Sequence, residues 1–232
     1  MNKVAILVDG GFYRWRAYSL FGDKSPKDRA DELFSYCLAH LYSKRKEENE
    51  LYRIFYYDCE PADKLVYNPI SKKNINLKNS ETYKWTTAFL EELKKKRKVA
   101  LRLGKLSVHN AFTLPNQTIK DLANGKRLWS DITADDVKLN IEQKGVDMRV
   151  GVDIASLAFK QQVNQIILIS GDSDFVPAAK LARREGIDFI IDAMEAHIAD
   201  DLFEHIDGLK SKVKYMLKKM RATTTGNTET QK

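Results

Sequence analysis

Continuous apolar runs alternate along this chain with segments whose apolar residues follow helical spacing. Lys3–Val8 and Gln165–Ser170 are almost entirely aliphatic, a pattern typical of parallel strands that are buried on both faces. Further strands are predicted at Leu51–Tyr57, at Val99–Val108 with a bend at Gly104, and at Ile187–Asp192. Apolar residues three and four positions apart predict the helices between them. These helices are expected at Asp28–Arg45, from Ser80 through Leu93, from Asp147 to about Gln161, and at Phe175–Arg184.

The alternation of strands and helices predicts an α/β fold, with a Rossmann-like parallel sheet of five strands flanked by helices. In the common strand order 3-2-1-4-5, the first and fourth strands are neighbours. We expect one domain over residues 1–207, with a polar, irregular insert at 109–140. A C-terminal amphipathic helix is predicted because apolar residues repeat at spacings of four and three. Those residues are Leu202, Ile206, Leu209, Val213, Met216 and Met220. The basic part of this helix covers 208–221, and 222–232 is expected to be disordered.

The charge of the chain is concentrated in two segments. The net charge of the 232 residues is +7, but Lys94–Lys98 and Lys210–Arg221 together hold eleven basic residues. The remaining 28 basic and 32 acidic residues give −4, so the body of the protein is slightly acidic. Basic segments on an acidic body suit a polyanion such as RNA, and solvated helix ends are the alternative interpretation.

Other features of the composition exclude several classes of protein. The two cysteines, Cys37 and Cys59, form neither a disulfide framework nor a C-x-x-C metal site. The apolar runs are too short to span a membrane, and the N-terminus lacks the features of a secretory signal. We therefore expect a cytoplasmic protein with no membrane partner. The motifs of serine hydrolases and of nucleotide-phosphate loops are missing from the sequence.

Aspartates directly follow two of the predicted strands. Asp9 follows the first strand, and Asp172 and Asp174 follow the fourth. The carboxyl ends of neighbouring parallel strands meet at one edge of the sheet, and the helix that starts near Asp147 can reach the same edge. Crowded carboxylates favour a hard divalent cation, and Mg²⁺ or Mn²⁺ suits an all-aspartate set. A single aspartate in such a place is more often a turn former or helix cap, so the interpretation depends on the two turns together.

Asp153 is a weaker candidate for the same site. It follows Asp147 by six residues, about 240° around a regular helix, so the two side chains cannot face one point. We favour Asp147 as the ligand, and we keep Asp153 as an additional metal ligand.

Four segments of the chain resemble the NYN domain, in its LabA-like branch. They are Ile6–Phe12, Arg102–Leu106, Lys144–Asp153 and Leu168–Pro177, in the expected order within residues 3–207. The resemblance implies a PIN-like nuclease fold whose clustered acids bind Mg²⁺ or Mn²⁺, with RNA as the substrate. It identifies the acids as Asp9, Asp147, Asp172 and Asp174, and it suggests that Ser170 or Ser173 holds a phosphate or a water. Many NYN domains have an asparagine three residues after the first acid, where this sequence has Phe12.

The sequence therefore predicts a metal-dependent ribonuclease that cleaves single-stranded or structured RNA. A non-catalytic RNA-binding module is the alternative, and a small-substrate phosphohydrolase with an Asp-x-Asp pair is a more remote one. The predicted substrate-binding residues are Ser170, Ser173, Gly10, Gly11, Phe12, Arg102, Lys105 and Lys144. The basic run Lys94–Lys98 could hold the RNA backbone, and Phe12, Tyr13 or Trp15 could stack on bases or simply pack. The C-terminal helix is expected to pack on the domain, with homodimerisation or RNA contact as alternatives.

Overall fold

The computed structural model describes residues 1–42 and 48–226. Its strands are β1 Asn2–Asp9, β2 Asn49–Cys59, β3 Leu65–Asn68, β4 Lys73–Asn76, β5 Val99–Thr113, β6 Lys138–Lys144, β7 Gln165–Ile169, β8 Asp188–Asp192 and β9 Gly208–Leu209. Its α-helices are α1 Gly10–Phe21, α2 Pro26–Ala39, α3 Glu81–Lys94, α4 Asn116–Ala123, α5 Val146–Phe159, α6 Val176–Arg184, α7 Asp200–Phe203 and α8 Val213–Gly226. Within these described ranges, no helix is long and apolar enough to cross a membrane.

A large mixed sheet, flanked by helices, is the central feature of this α/β fold. Its strand order is β6-β5-β2-β1-β7-β8-β9. β1 is parallel to β2 and β7, and β7, β8 and β9 are parallel in turn, whereas β5 and β6 are antiparallel. The five predicted strands are, in chain order, β1, β2, β5, β7 and β8. Their order in the sheet, β5-β2-β1-β7-β8, confirms the predicted order 3-2-1-4-5. The prediction of five parallel strands is wrong, because β6 and β9 extend the two edges and neither has an apolar run.

The chain divides into two compact units. The first contains Met1–Asp58, Ala88–Leu103 and Gly145–Lys232, and the second contains Cys59–Thr87 and Gly104–Lys144. One boundary therefore falls within β5 at Gly104, where the sequence predicted a bend. The segment 109–140 is not the irregular insert that was predicted, because it holds the end of β5, α4 and the start of β6. It is part of the second unit, which also contains Cys59–Thr87.

The core of the first unit is built on its two aliphatic strands. Every residue of β1 from Val4 to Val8 is fully buried, and so is every residue of β7 from Ile166 to Ile169. Leu33 of α2 and Ile154 of α5 are buried with them. Strands covered by helices on both faces have no solvent-facing side, which explains why their sequences read as continuous apolar runs. Both cysteines are buried.

The first two helices differ from the sequence expectation. The sequence did not predict α1, whose buried Tyr13 alternates with exposed aromatics such as Trp15. This helix begins without any loop, since Asp9 is both the last residue of β1 and the cap of α1. The next helix, α2, begins at Pro26 and ends at Ala39, and Arg45, its predicted end, lies outside the described residues.

The C-terminal segment is not the single amphipathic helix that its heptad-like spacing predicts. Leu202 lies in α7 and Leu209 in β9, whose backbone pairs with β8, so the helical part begins only at Val213. The heptad-like spacing predicts the wrong structure here because the backbone N–H and C=O groups near Leu209 form hydrogen bonds with the sheet edge instead of with a helix. Helix α8 continues to Gly226, beyond the predicted end at residue 221, and the rest of the predicted tail, 227–232, lies outside the described residues.

Candidate active site

Asp9 is held at the junction between β1 and α1. Its Oδ1 accepts a hydrogen bond from the backbone N–H of Phe12 at 3.0 Å, as the cap of α1. Its Oδ2 accepts one from the Ser170 hydroxyl at 3.3 Å. Asp9 is half-buried, and it is therefore an oriented carboxylate at the carboxyl end of the central strand.

Ser170 links Asp9 to the turn that carries Asp172 and Asp174. Besides donating to Asp9, its hydroxyl accepts a hydrogen bond from the backbone N–H of Asp172 at 3.3 Å. Asp172 in turn caps a short 3₁₀ turn, since its Oδ1 accepts from the N–H of Asp174 at 3.0 Å. Ser170 is fully buried, so its contacts position the acids and leave no room for a phosphate. Ser173 is half-buried in the same turn.

Burial and neighbouring charges raise the pKa of two of the four predicted acids. Desolvation raises the pKa of Asp147, and the charges of Asp172 and Asp174 raise it further. Burial likewise raises the pKa of Asp9, with a further contribution from the charge of Asp147. The hydrogen bonds from Phe12 and Ser170 oppose this effect without cancelling it. Like charges within mutual reach disfavour ionisation, so this edge gains from a cation.

The donor chemistry of this group suits Mg²⁺ or Mn²⁺, which prefer carboxylate oxygens. Among residues 1–42 and 48–226, however, no three His, Cys, Asp or Glu side chains lie close enough together to hold one ion. Asp147, Asp172 and Asp174 are exposed, and exposed side chains change rotamer within nanoseconds. The residues therefore fit a divalent cation by charge and atom type. The side chains of Asp147 and Asp174 can adjust to an ion, whereas the cap that Asp172 forms fixes one of its oxygens.

A fifth acid near the site was not found from the sequence. Asp58, near the end of β2, is buried, and its charge also raises the pKa of Asp9. It is paired with Arg14 and accepts a hydrogen bond from the Tyr56 hydroxyl at 2.9 Å. A signal was present, since Asp58 directly follows the predicted strand Leu51–Tyr57. The ion pair with Arg14 gives Asp58 a structural role next to the acidic group.

Asp153 lies in a different environment from Asp147. Its Oδ2 accepts hydrogen bonds from Nε of Arg102 at 2.8 Å and from the Tyr57 hydroxyl at 2.9 Å. Arg102 also lies over the ring of Phe55, with its guanidinium carbon 5.1 Å from the ring centre. Both residues were candidates for the site, and the structure pairs them with each other. Arg102 is 40% exposed and can still reach an anion by exchanging partners.

The glycines and the aromatic residue after Asp9 serve packing. A Cβ atom at position 10 would lie 2.5 Å from Cζ and Oη of Tyr56, so Gly10 permits a close approach of backbone to ring. Phe12 is half-buried, and a Cβ at Gly171 would lie 3.3 Å from its ring. Phe12 therefore packs on the turn that carries Asp172. Gly11 is half-buried beside them.

The predicted aromatic and basic contacts to RNA differ in accessibility. Tyr13 is fully buried and donates a hydrogen bond to Glu32 at 2.9 Å, so it packs rather than stacks on a base. Trp15 is 64% exposed and remains available. In the second unit, Lys105 and Lys144 are exposed register partners on β5 and β6.

The basic run Lys94–Lys98 carries less free charge than its sequence suggests. Lys94 and Lys95 form ion pairs with Glu91 and Glu92, each at 2.6 Å. Lys96 pairs with Asp31, and Lys98 lies 3.3 Å from Glu50. Exposed ion pairs of this kind are weak, so a phosphate could replace the acidic partners.

Comparison with protein families relates this arrangement to known domains. The sequence model of the NYN domain matches residues 3–209. The chain belongs to the NYN domain family. NYN domains are PIN-like domains of the nuclease type, and the edge that carries Asp9 and Asp172 is the acidic edge of this one.

The structure is similar to that of a protein of unknown function from Vibrio parahaemolyticus, with a TM-score of 0.45 and 13% sequence identity. The similarity covers 90% of this chain and 91% of that one. No curated protein matches the chain.

Proposed function

We propose that this NYN domain is a metal-dependent nuclease that hydrolyses RNA phosphodiester bonds. The catalytic and metal-binding acids would be Asp9, Asp147, Asp172 and Asp174. The observation that best supports this proposal is the hydrogen-bonded link between the acids, since Ser170 donates to Asp9 and accepts from the N–H of Asp172, each at 3.3 Å. Burial, with added repulsion from neighbouring aspartates, raises the pKa of Asp9 and of Asp147. Perturbed acids gathered at the carboxyl edge of a parallel sheet are typical of catalytic sites.

The four acids have two parts in the proposed mechanism. Bound Mg²⁺ or Mn²⁺ supplies Lewis acidity and activates water at neutral pH. Asp9 anchors the group, since Phe12 and Ser170 fix both of its oxygens. The exposed acids Asp147, Asp172 and Asp174 would hold the ion together with Asp9.

The substrate contacts and cellular setting are also part of the proposal. Arg102 would bind the RNA backbone by exchanging Asp153 for a phosphate, and RNA contacts by Lys105 and Lys144 of the second unit stay a prediction from the sequence. The LabA-like assignment is supported by the four sequence motifs, and a cytoplasmic location is proposed with it. Asp153 is retained as an outer residue that positions Arg102.

The test is cleavage of labelled single-stranded and structured RNA with Mg²⁺, with Mn²⁺ and with EDTA. Asp172→Asn removes one charge, yet its side-chain oxygen can still accept from the N–H of Asp174. We expect this variant to cleave at least about 100-fold more slowly while it melts like the wild type. Asp188→Asn is the matched control, because Asp188 is an exposed aspartate at the amino-terminal end of β8, whereas Asp172 follows the carboxyl end of β7. Cleavage by Asp172→Asn at the wild-type rate would refute these roles.

A non-catalytic RNA-binding module is the second candidate. It is favoured by the observation that, in the described part of the chain, no three acidic, histidine or cysteine side chains converge on one point. On this alternative, RNA binding survives EDTA, depends steeply on salt and is unaffected by Asp172→Asn. Metal-dependent cleavage that Asp172→Asn abolishes would exclude it.

A further inference from the structure

A cavity of about 880 Å³ lies wholly within the second unit. Its walls come from the segment after β3, the end of β5, α4 and the chain between α4 and β6. Small-molecule sites have volumes of roughly 300–1,000 Å³, and most of them are concave and apolar. The size of this cavity therefore suits one small organic molecule.

The lining of the cavity is almost entirely apolar. Phe112 of β5, Ile119 and Leu122 of α4, and Trp129 form much of its wall. Among the described residues that line it, none is charged, and the polar members are Thr113 and Asn116. A few polar groups within an apolar wall are typical of sites that orient a bound molecule.

The charge around the cavity is balanced. Residues 116–138, which supply most of its wall, contain four basic and four acidic side chains. Arg127 is bound to both carboxylate oxygens of Asp136, at 2.9 and 3.0 Å. Binding of a polyanion such as RNA requires an excess of positive charge, which this segment lacks. The charge distribution therefore favours a neutral ligand.

The mouth of the cavity leaves large apolar side chains in contact with solvent. Trp129 is 72% exposed and Ile119 is 49% exposed, and both line the cavity. Contiguous apolar surface of this kind mostly marks a binding site, because leaving it in water is unfavourable.

We infer that this cavity binds a neutral, largely apolar small molecule that contains an aromatic ring. The ring would pack with Phe112 and Trp129, and a polar substituent would hydrogen-bond to Thr113 or Asn116. The inference uses no residue of the acidic edge and does not depend on the proposed nuclease activity.

A pair of fluorescent probes of similar size but different charge tests the preference for a neutral ligand. N-phenyl-1-naphthylamine is neutral, and 8-anilinonaphthalene-1-sulfonate has the same skeleton with one negative charge. We expect the neutral probe to bind saturably to the full chain at one site, and the sulfonate at least about tenfold more weakly. Tighter binding of the sulfonate would contradict the inference, because the lining offers no cation to hold it.

Two variants locate the bound probe. Ala123 lines the cavity at the exposed end of α4, so Ala123→Trp fills the cavity without removing a core side chain. Ile119→Lys places a charge in the uncharged wall at a half-exposed position. Each variant should weaken binding of the neutral probe at least about tenfold. Ala62→Trp, in the same unit but outside the cavity, should bind like the wild type. Unchanged binding by both cavity variants would overturn the inference.

Two experiments distinguish a small-molecule site from an RNA-binding surface and from an interface between copies of the chain. Displacement of the neutral probe by unlabelled single-stranded RNA would overturn the inference in favour of a base-binding surface. Loss of probe binding as the protein self-associates at higher concentration, measured by sedimentation, would instead assign the cavity to an interface between copies. Probe binding that is insensitive to both RNA and protein concentration supports a small-molecule site.

Discussion

Gly10 allows the ends of β1 and β2 to approach each other closely beside Asp9. It follows Asp9 directly, and its Cα approaches the Tyr56 ring and the Tyr57 backbone so closely that a side chain has no space. Tyr56 also donates a hydrogen bond to Asp58 at 2.9 Å. The close approach therefore keeps the ends of β1 and β2 together, with the side chain of Asp9 in its capping position.

Gly10→Ala is expected to destabilise the protein by at least about 3 kcal/mol, because the new methyl group would overlap ring and backbone atoms. Denaturant unfolding of the purified variant measures this change. Gly151→Ala is the matched control, since Gly151 lies within α5 with no atom near the added methyl group. Alanine there should stabilise the helix by about 0.5–1 kcal/mol. Equal effects of the two substitutions would contradict the packing role of Gly10.

At the scale of elements, a buried polar cluster joins α2 to the end of β8. Asp192 accepts hydrogen bonds from the Tyr36 hydroxyl at 2.6 Å and from the Met194 N–H at 2.7 Å. Nε2 of His40 lies 2.8 Å from the same carboxylate, and all three side chains are fully buried. The Tyr36 hydroxyl also accepts from the N–H of Lys212, just before α8. The cluster therefore ties α2, β8 and the C-terminal segment together.

This cluster predicts a loss of stability in mild acid. Burial lowers the pKa of His40, although Asp192 partly opposes the effect. Below about pH 6.5 the unfolded chain takes up a proton that the folded protein disfavours, so the free energy of unfolding falls as pH falls. The loss is at most about 1.4 kcal/mol per pH unit.

Urea unfolding at pH 7.5 and at pH 5 measures this effect. His40→Gln should be less stable than the wild type at pH 7.5 and should lose less stability on acidification. His197→Gln, at an exposed histidine of the same unit, should keep the wild-type pH dependence. A His40→Gln protein with the full wild-type pH dependence would show that His40 is not the group responsible.

At the scale of the whole molecule, the two basic segments differ in how their charge is used. Lys94 and Lys95 are in ion pairs with glutamates one turn away. Lys214 and Lys218 are exposed on α8, and within the described residues neither forms an ion pair. Helix α8 packs through its buried Val213 and Met216, as expected for a helix that rests on its own domain. Its exposed basic face is therefore the stronger candidate for contact with RNA.

The salt dependence of RNA binding distinguishes the two segments. Lys214→Gln with Lys218→Gln should weaken binding to single-stranded RNA and reduce the slope of log K against log salt by about 1.4, since each phosphate contact contributes about 0.7. Lys94→Gln with Lys95→Gln is the matched double substitution, and we expect a smaller change because those charges are already paired. An unchanged slope for the α8 variant would remove this helix from the RNA-binding surface.

Prediction from the sequence succeeded where burial determines the local pattern. The aliphatic strands β1 and β7 were recognised because each is covered on both faces. It failed for α1, where exposed aromatics such as Trp15 and Tyr18 hide the helical spacing of the buried Gly10, Tyr13 and Ala17. It also failed for β6, which has no buried residue and therefore no apolar pattern. The C-terminal residues from Leu202 to Met220 matched a heptad spacing, yet they form two helices and a short strand.

The sequence by itself determined the α/β class and placed Asp9, Asp172 and Asp174 at the ends of two buried strands, since each aliphatic run stops at a short polar segment that contains glycine and aspartate. The central strand order was predicted from the order that is common in α/β folds. Only the tertiary structure decided which charges are neutralised. Asp153 with Arg102, and Asp58 with Arg14, are paired across distances in the chain that no local pattern reports. The balance between burial and charge at Asp9 and Asp147 likewise depends on neighbours that the folded chain brings together.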